Sequence, residues 1–338
     1  MDVMTGQPSA DAFRARFPWK GGDLQTVRNA LARPTIDLGP WPSETLQFAT
    51  DDGSGDLLIG QLARPAAGDD AGDDAGTAGP LVILIHGLTG CEDSIYVRAT
   101  ARHLLQAGHA VLRLNLRGAG PTRSLCHEQY HAGRTEDFAG VLHQLPETLS
   151  ARGVFAVGYS LGGNMLLKYL GEQGSGAPLM AAATVSAPID LATTSHRFHR
   201  RRNYIYKRYL LDRMKKDALL ARGGLPSLYQ TPVQQSRTIY EYDDVYVAPR
   251  YGFGTADTYY STVSANRFMP DIQTPTLVVH ALDDPWIASE PYQAFAWRDF
   301  PSLVPGIQAN GGHVGFHGRG SHVTWYDAQI QRFFAAAA

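Results

Sequence analysis

Apolar residues along this 338-residue chain fall into two rhythms. Short, mostly apolar runs occur at residues 81–85, 110–114, 154–157, 181–185, 276–280 and from 303 onward, each four to six residues long and rich in Val, Ile, Leu and Ala. Runs of that length and composition predict strands buried on both faces. Segments with apolar residues three and four apart lie between them, as at 163–170, and predict helices. Alternation of this kind argues for an α/β fold, a mostly parallel sheet with helices on both faces. Upstream, 45–49 and 57–62 read as an antiparallel pair around the turn at Asp51, Asp52 and Gly53. The alternation stops between about 190 and 265, too long a stretch for a plain connection. Tyr204, Ile205, Tyr209, Leu210 and Met214 fall near helical spacing within it, so a helical insertion with one face over a pocket is expected.

Chemistry enters at Gly158-Tyr159-Ser160-Leu161-Gly162, a G-x-S-x-G pattern between an expected strand and an expected helix. That context makes the pattern a nucleophile elbow, a sharp turn that needs small neighbours around the serine. A serine hydroxyl needs a base, and the base an orienting carboxylate, in the chain order Ser, Asp or Glu, His. The strand at 276–280 breaks into Ala281-Leu282-Asp283-Asp284-Pro285, which offers Asp284 as the acid, with Asp283 as the competing choice. His313, flanked by glycines beyond the last strand, is the candidate base. The run 81–85 leads into His86-Gly87-Leu88-Thr89-Gly90, so the backbone N–H groups of Leu88 and Leu161 are the expected oxyanion donors. His86 reads as a structural residue holding that loop.

These residues resemble the YheT-like branch of the α/β-hydrolases, bacterial relatives of the ABHD lipid and ester hydrolases. The resemblance runs through Gly21-Gly22-Asp23-Leu24-Gln25-Thr26, the His86 loop, Asn115-Leu116-Arg117-Gly118 and Tyr130-His131-Ala132-Gly133-Arg134-Thr135-Glu136-Asp137. It continues through the elbow, Asp243-Asp244, the Asp283-Asp284 turn and Gly311-Gly312-His313-Val314-Gly315-Phe316. It implies an α/β-hydrolase fold with a sheet of the eight-stranded type and a lid, acting on carboxylic esters with a hydrophobic acyl group. The expected organisation is a core over 1–189 and 266–338 with a lid over 190–265. An irregular lead-in covers 1–42. The Ala/Gly/Asp-rich stretch 66–80, a surface loop by composition, departs from the family.

Composition narrows the partners. A net charge of −2 gives no reason to expect nucleic acid. Cys91 and Cys126 are too few for a disulfide framework, and no signal peptide or membrane-spanning run is visible, so a soluble, cytoplasmic protein is expected. No cofactor motif is present. His127 and His131, four apart, lack a third metal ligand, and the His322 to Asp327 spacing occurs readily by chance among 12 histidines. Arg197, Arg200, Arg201, Arg202, Lys207 and Arg208 make the insertion locally basic, either as a solvated face or as a contact for anionic lipid or an acidic substrate group. A serine esterase taking a small-molecule ester is the leading function. A thioesterase or acyltransferase with the same triad, or a non-catalytic binder of a small hydrophobic ligand, are the alternatives.

Overall fold

The computed structural model describes residues 12–65 and 79–338. The first eleven positions, and the expected loop over 66–80 apart from Gly79 and Pro80, lie outside the described residues. Eight strands among the described residues form one sheet. They are β1 (Ser43–Ala49), β2 (Leu57–Ala63), β3 (Leu81–Ile85), β4 (Val111–Leu114), β5 (Val154–Tyr159), β6 (Ala181–Val185), β7 (Thr276–Ala281) and β8 (Leu303–Gln308). Their order is β1-β2-β4-β3-β5-β6-β7-β8. β1 and β2 pair antiparallel, as does β2 with β4, and every pair from β4 to β8 is parallel.

β3, β4, β5, β6 and β7 are buried at every position, because helices cover both faces. Alternate residues of each strand therefore feed two cores. Leu81, Ile83 and Ile85 point into one with Leu166 and Leu170. Val82 and Leu84 join the other with Phe155, Ile330 and Phe334. The twofold alternation of side chains along a strand dictates that division.

Between β6 and β7 the chain is helical, with helices at Leu191–Phe198, Tyr204–Leu219, Ser227–Gln235 and Ala256–Val263. A π-helical turn, Asp243–Val247, interrupts the segment. These helices build a third apolar cluster around Leu210, Met214, Tyr242, Tyr246 and Tyr259. The helical spacing expected for this segment holds at Leu210 and Met214, whereas Tyr204 and Ile205 are 56% and 77% exposed. Ile205 precedes Leu210 by five residues, which places it about 140° around the helix from the buried face.

The lead-in holds a helix, Gly22–Ala32, that hydrophobic patterning misreads. Its apolar Leu24 and Leu31 face solvent, while its polar Gln25 is buried. Gln25 Nε2 donates to the carbonyl of Trp19, and Gln25 Oε1 accepts the N–H of His317 at 2.7 Å. The helix is thus held through hydrogen bonds to the loop that follows β8.

Candidate active site

Ser160 sits between β5 and the helix Leu161–Gln173 with φ 49° and ψ −121°, a conformation that favours glycine. The strain is held by a hydrogen bond from its N–H to the carbonyl of Val185 at 2.9 Å, and by close packing around the turn. A Cβ added to Gly158 would lie 2.6 Å from the carbonyl oxygen of Gly162, and one on Gly162 would lie 2.4 Å from that of His86. Those two positions exclude any side chain.

Three loops meet at the serine. His313 follows β8, and its Nε2 lies 3.0 Å from Ser160 Oγ. Its Nδ1 lies 2.9 Å from Asp284 Oδ2, in the turn after β7. Asp284 is fully buried, yet its other oxygen accepts the N–H groups of Trp286 at 2.8 Å and Ile287 at 3.0 Å. Burial alone raises the carboxyl pKa; the His313 charge and hydrogen bond, then the His280 charge and the Ile287 amide, outweigh it, so the net shift is downward. Asp284 is therefore an ionised acceptor. The imidazole donates from Nδ1 to it and offers Nε2 as the acceptor for the serine hydroxyl. The ring of Trp286 stacks on that of His313, with centroids 4.4 Å apart.

Asp283 has a different task. Its Oδ1 accepts the N–H of Gly312 at 2.9 Å, fixing the backbone one residue before His313. The N–H of His313 donates to Thr26 Oγ1 at 2.8 Å, and that of Val314 to Ser186 Oγ at 3.1 Å. Hydrophobic patterning carries no signal for Thr26 or Ser186, and only the Gly21–Thr26 resemblance points toward the first.

The loop after β3 is pinned on both sides of Leu88. The N–H of Gly87 donates to Tyr96 Oη at 2.9 Å, and that of Thr89 to Tyr130 Oη at 2.7 Å. Thr89 has φ 58°. Leu161 opens its helix, so its N–H has no carbonyl one turn back within that helix. His86 is buried, and its Nε2 accepts the N–H of Leu116 at 3.1 Å. Its proton therefore sits on Nδ1, 2.8 Å from the carbonyl oxygen of Gly87. Burial lowers its pKa to about 4, which keeps the ring neutral.

Ser160, His313, Leu88 and Leu161 open onto a cavity of about 540 Å³. Most of its wall is apolar or aromatic, and the helical segment contributes a large share of it, including Leu210, Met214, Tyr242, Tyr246 and Val247. Arg197, counted in sequence with the basic face of that segment, instead donates to the carbonyls of Asp284 at 2.8 Å and Pro285 at 3.3 Å. Arg202 pairs with Asp23 at 2.8 Å, with both partners about half exposed.

His127 and His131 are differently placed. The His131 ring packs against Tyr251, Phe253 and Tyr259, while His127 faces Gly223. Asp327 lies in the first turn of the last helix, capped by Thr324, and accepts from Thr100 Oγ1 at 2.5 Å, whereas His322 is exposed. Cys91 and Cys126 are both free thiols. No helix among the described residues is long and apolar enough to cross a membrane.

A sequence model of the α/β hydrolase fold matches residues 80–319, most of the chain. The chain belongs to the α/β hydrolase family. This hydrolase is 34% identical over 246 residues to YheT of Escherichia coli (strain K12), whose name assigns it provisionally to the esterases; the match covers 71% of each chain. It is 29% identical to the phospholipase ABHD3 of Mus musculus over 72% of its own length and 59% of that protein's. It is 27% identical to a monoacylglycerol lipase of Saccharomyces cerevisiae over 78% and 61% of the two chains. The hydrolase thus spans less than two thirds of those last two relatives. Among solved structures, the Pyrococcus furiosus esterase Pf2001 superposes with a TM-score of 0.57 at 15% identity, covering 88% of this chain and 93% of that one. At that identity the likeness speaks for the fold.

Proposed function

We propose that this hydrolase cleaves carboxylic esters with hydrophobic acyl groups through an acyl-enzyme on Ser160. The observation that carries the reading is the continuous hydrogen-bonded chain Asp284–His313–Ser160 at the wall of an apolar cavity. In this reading Ser160 Oγ attacks the ester carbonyl carbon as its proton passes to His313 Nε2. The Leu88 and Leu161 N–H groups receive the developing oxyanion. The tetrahedral intermediate collapses, and His313 returns the proton to the leaving alcohol. Water then attacks the acyl group with His313 again as base, and the carboxylic acid leaves. Asp284 holds the imidazole tautomer and balances its transient charge.

The same proposal divides the chain into a catalytic core, 1–189 and 266–338, and a lid, 190–265, whose inner face receives the acyl chain. Support comes from the cavity wall, which draws on both parts. The free Cys91 and Cys126 fit a reducing cytoplasmic compartment. The relatives named as esterases and lipases agree with ester chemistry. The test is turnover of a graded series of p-nitrophenyl esters, with thioesters alongside, by the native protein and by Ser160→Ala. Turnover that survives in the purified variant would overturn the assignment.

A further inference from the structure

Among the polar side chains on the cavity wall with no work in the chemistry above is Gln129. Gln129 keeps only 9% of its surface exposed and lines the cavity. Its backbone N–H donates to Tyr251 Oη at 2.9 Å, and its Oε1 accepts from Tyr246 Oη at 3.4 Å. Its Nε2, buried, has no partner among the described residues. A buried amide donor without an acceptor is costly, and such groups in folded proteins call for an explanation.

His131, two residues on, lines the same cavity. Its Nδ1 accepts the N–H of Gly133 at 3.2 Å, which leaves the ring proton on Nε2. Burial, followed by the positive charges of Arg134, Lys168 and Arg117, lowers its pKa to about 3, so the ring is a neutral donor. The Tyr251 ring, 4.7 Å away, ties the pair together, since its hydroxyl also receives the Gln129 N–H.

We propose that Gln129 and His131 form a subsite for an uncharged hydrogen-bond acceptor, a carbonyl, ether or hydroxyl oxygen, carried by the substrate in addition to the ester that is cleaved. The inference rests on the reading of this cavity as the substrate pocket. Both donors are neutral, which suits a neutral acceptor. The cations around His131 are already paired with carboxylates: Arg134 with Asp52 at 2.8 Å, Lys168 with Glu172 and Arg117 with Asp137. Arg250, over the rings of Tyr246 and Tyr251, is already paired with Glu128 at 3.1 Å. Asp243, in the π-helical turn that also carries Tyr246, lines the same cavity with a carboxyl that burial keeps protonated into the neutral range, an uncharged group like the two donors. A π-helical turn in a pocket wall is a recurrent functional feature, and here it places Asp243 and Tyr246 together. The substrate class is thus an ester with a second, uncharged oxygen function on its acyl chain or on its alcohol.

The test is a binding measurement that needs no turnover. Titration calorimetry on Ser160→Ala protein compares methyl decanoate with decanoates carrying one keto or hydroxyl group moved along the chain, and with monodecanoylglycerol. The first arm places the acceptor on the acyl chain and the second on the alcohol. One arm should bind about tenfold tighter than the plain ester, the worth of one well-placed hydrogen bond in a closed pocket. Gln129→Leu and His131→Phe, each on that background, should bring the ratio back toward one. Equal affinity for plain and functionalised esters at every position would overturn the proposal, leaving Gln129 satisfied by water alone. A ratio unchanged in the variants would overturn it as well. Failure of the hydrolase reading is recognised separately, as turnover that survives Ser160→Ala in native conditions.

Discussion

Two buried aspartates, Asp284 behind His313 and Asp243 on the cavity wall, carry opposite protonation behaviour. Asp284 and Asp243 are both buried, at 0% and 7% exposure. Asp284 accepts two backbone N–H groups and the His313 ring, and its pKa falls. Asp243 accepts from Tyr260 Oη at 2.6 Å, and burial, opposed only by that bond, raises its pKa to about 7. The difference lies in the number of donors and the charge of the partner, not in depth. Behind one end of the cleft a permanent negative charge accepts the N–H of the His313 ring. The other keeps a carboxyl that holds its proton into the neutral range, compatible with an apolar chain.

The contrast breaks most visibly at the catalytic end. Ser160→Ala should lower ester turnover by about 10⁴ to 10⁶-fold, read from initial rates on one p-nitrophenyl ester. Asp284→Asn follows, at about 10⁴-fold, because an amide can stabilise the wrong imidazole tautomer. Asp283→Asn should cost roughly tenfold or less, since that side chain fixes Gly312 and not the ring. If the two Asp variants trade places, the orienting role belongs to Asp283.

At the other end the expected effect is on stability. The folded-state pKa of Asp243 lies above its unfolded value of 3.8. Its contribution is therefore fully present below pH 3.8 and is lost as pH rises through about 7. Asp284, with a depressed pKa, behaves in the opposite sense, and its contribution is lost as pH falls. The melting temperature of Asp243→Asn, relative to the native protein, should thus rise between pH 5 and pH 8 and level off above. A gap that does not change with pH would show that Asp243 is ionised throughout. The smallest effect is on chain length. Each methylene added to the acyl group should raise kcat/KM by up to about fourfold until the cavity is full, from about 0.8 kcal/mol per buried methylene. A flat profile from acetate to decanoate would remove the lid from substrate binding.

The two ends also differ in how far sequence could reach them. The strands of the central sheet and the elbow were legible because buried parallel strands read as nearly continuous apolar runs, and a strained serine turn demands glycines at set positions. The sheet from β4 to β8 is parallel, as alternation implied. Gln25 and Thr26 were not legible, since their helix buries polar groups and exposes leucines, against the usual rule. Arg197 was misjudged for a related reason: a charge run counts residues without saying which one folds back onto a carbonyl. His131 enters the sequence reading only within a family motif and as half of a pair with His127, and Gln129 does not enter it at all. Their meaning depends on Tyr246, Tyr251 and Gly133, two of them more than a hundred residues away, and no spacing rule reports that.

The central claim is that the Asp284–His313–Ser160 chain activates one serine among all those in the protein. The most direct measurement is mass-spectrometric peptide mapping after treatment with a fluorophosphonate. The account predicts a single phosphonylated residue, Ser160, with the adduct lost in His313→Ala. A native protein that takes up no label, or takes it up at another serine, would contradict it.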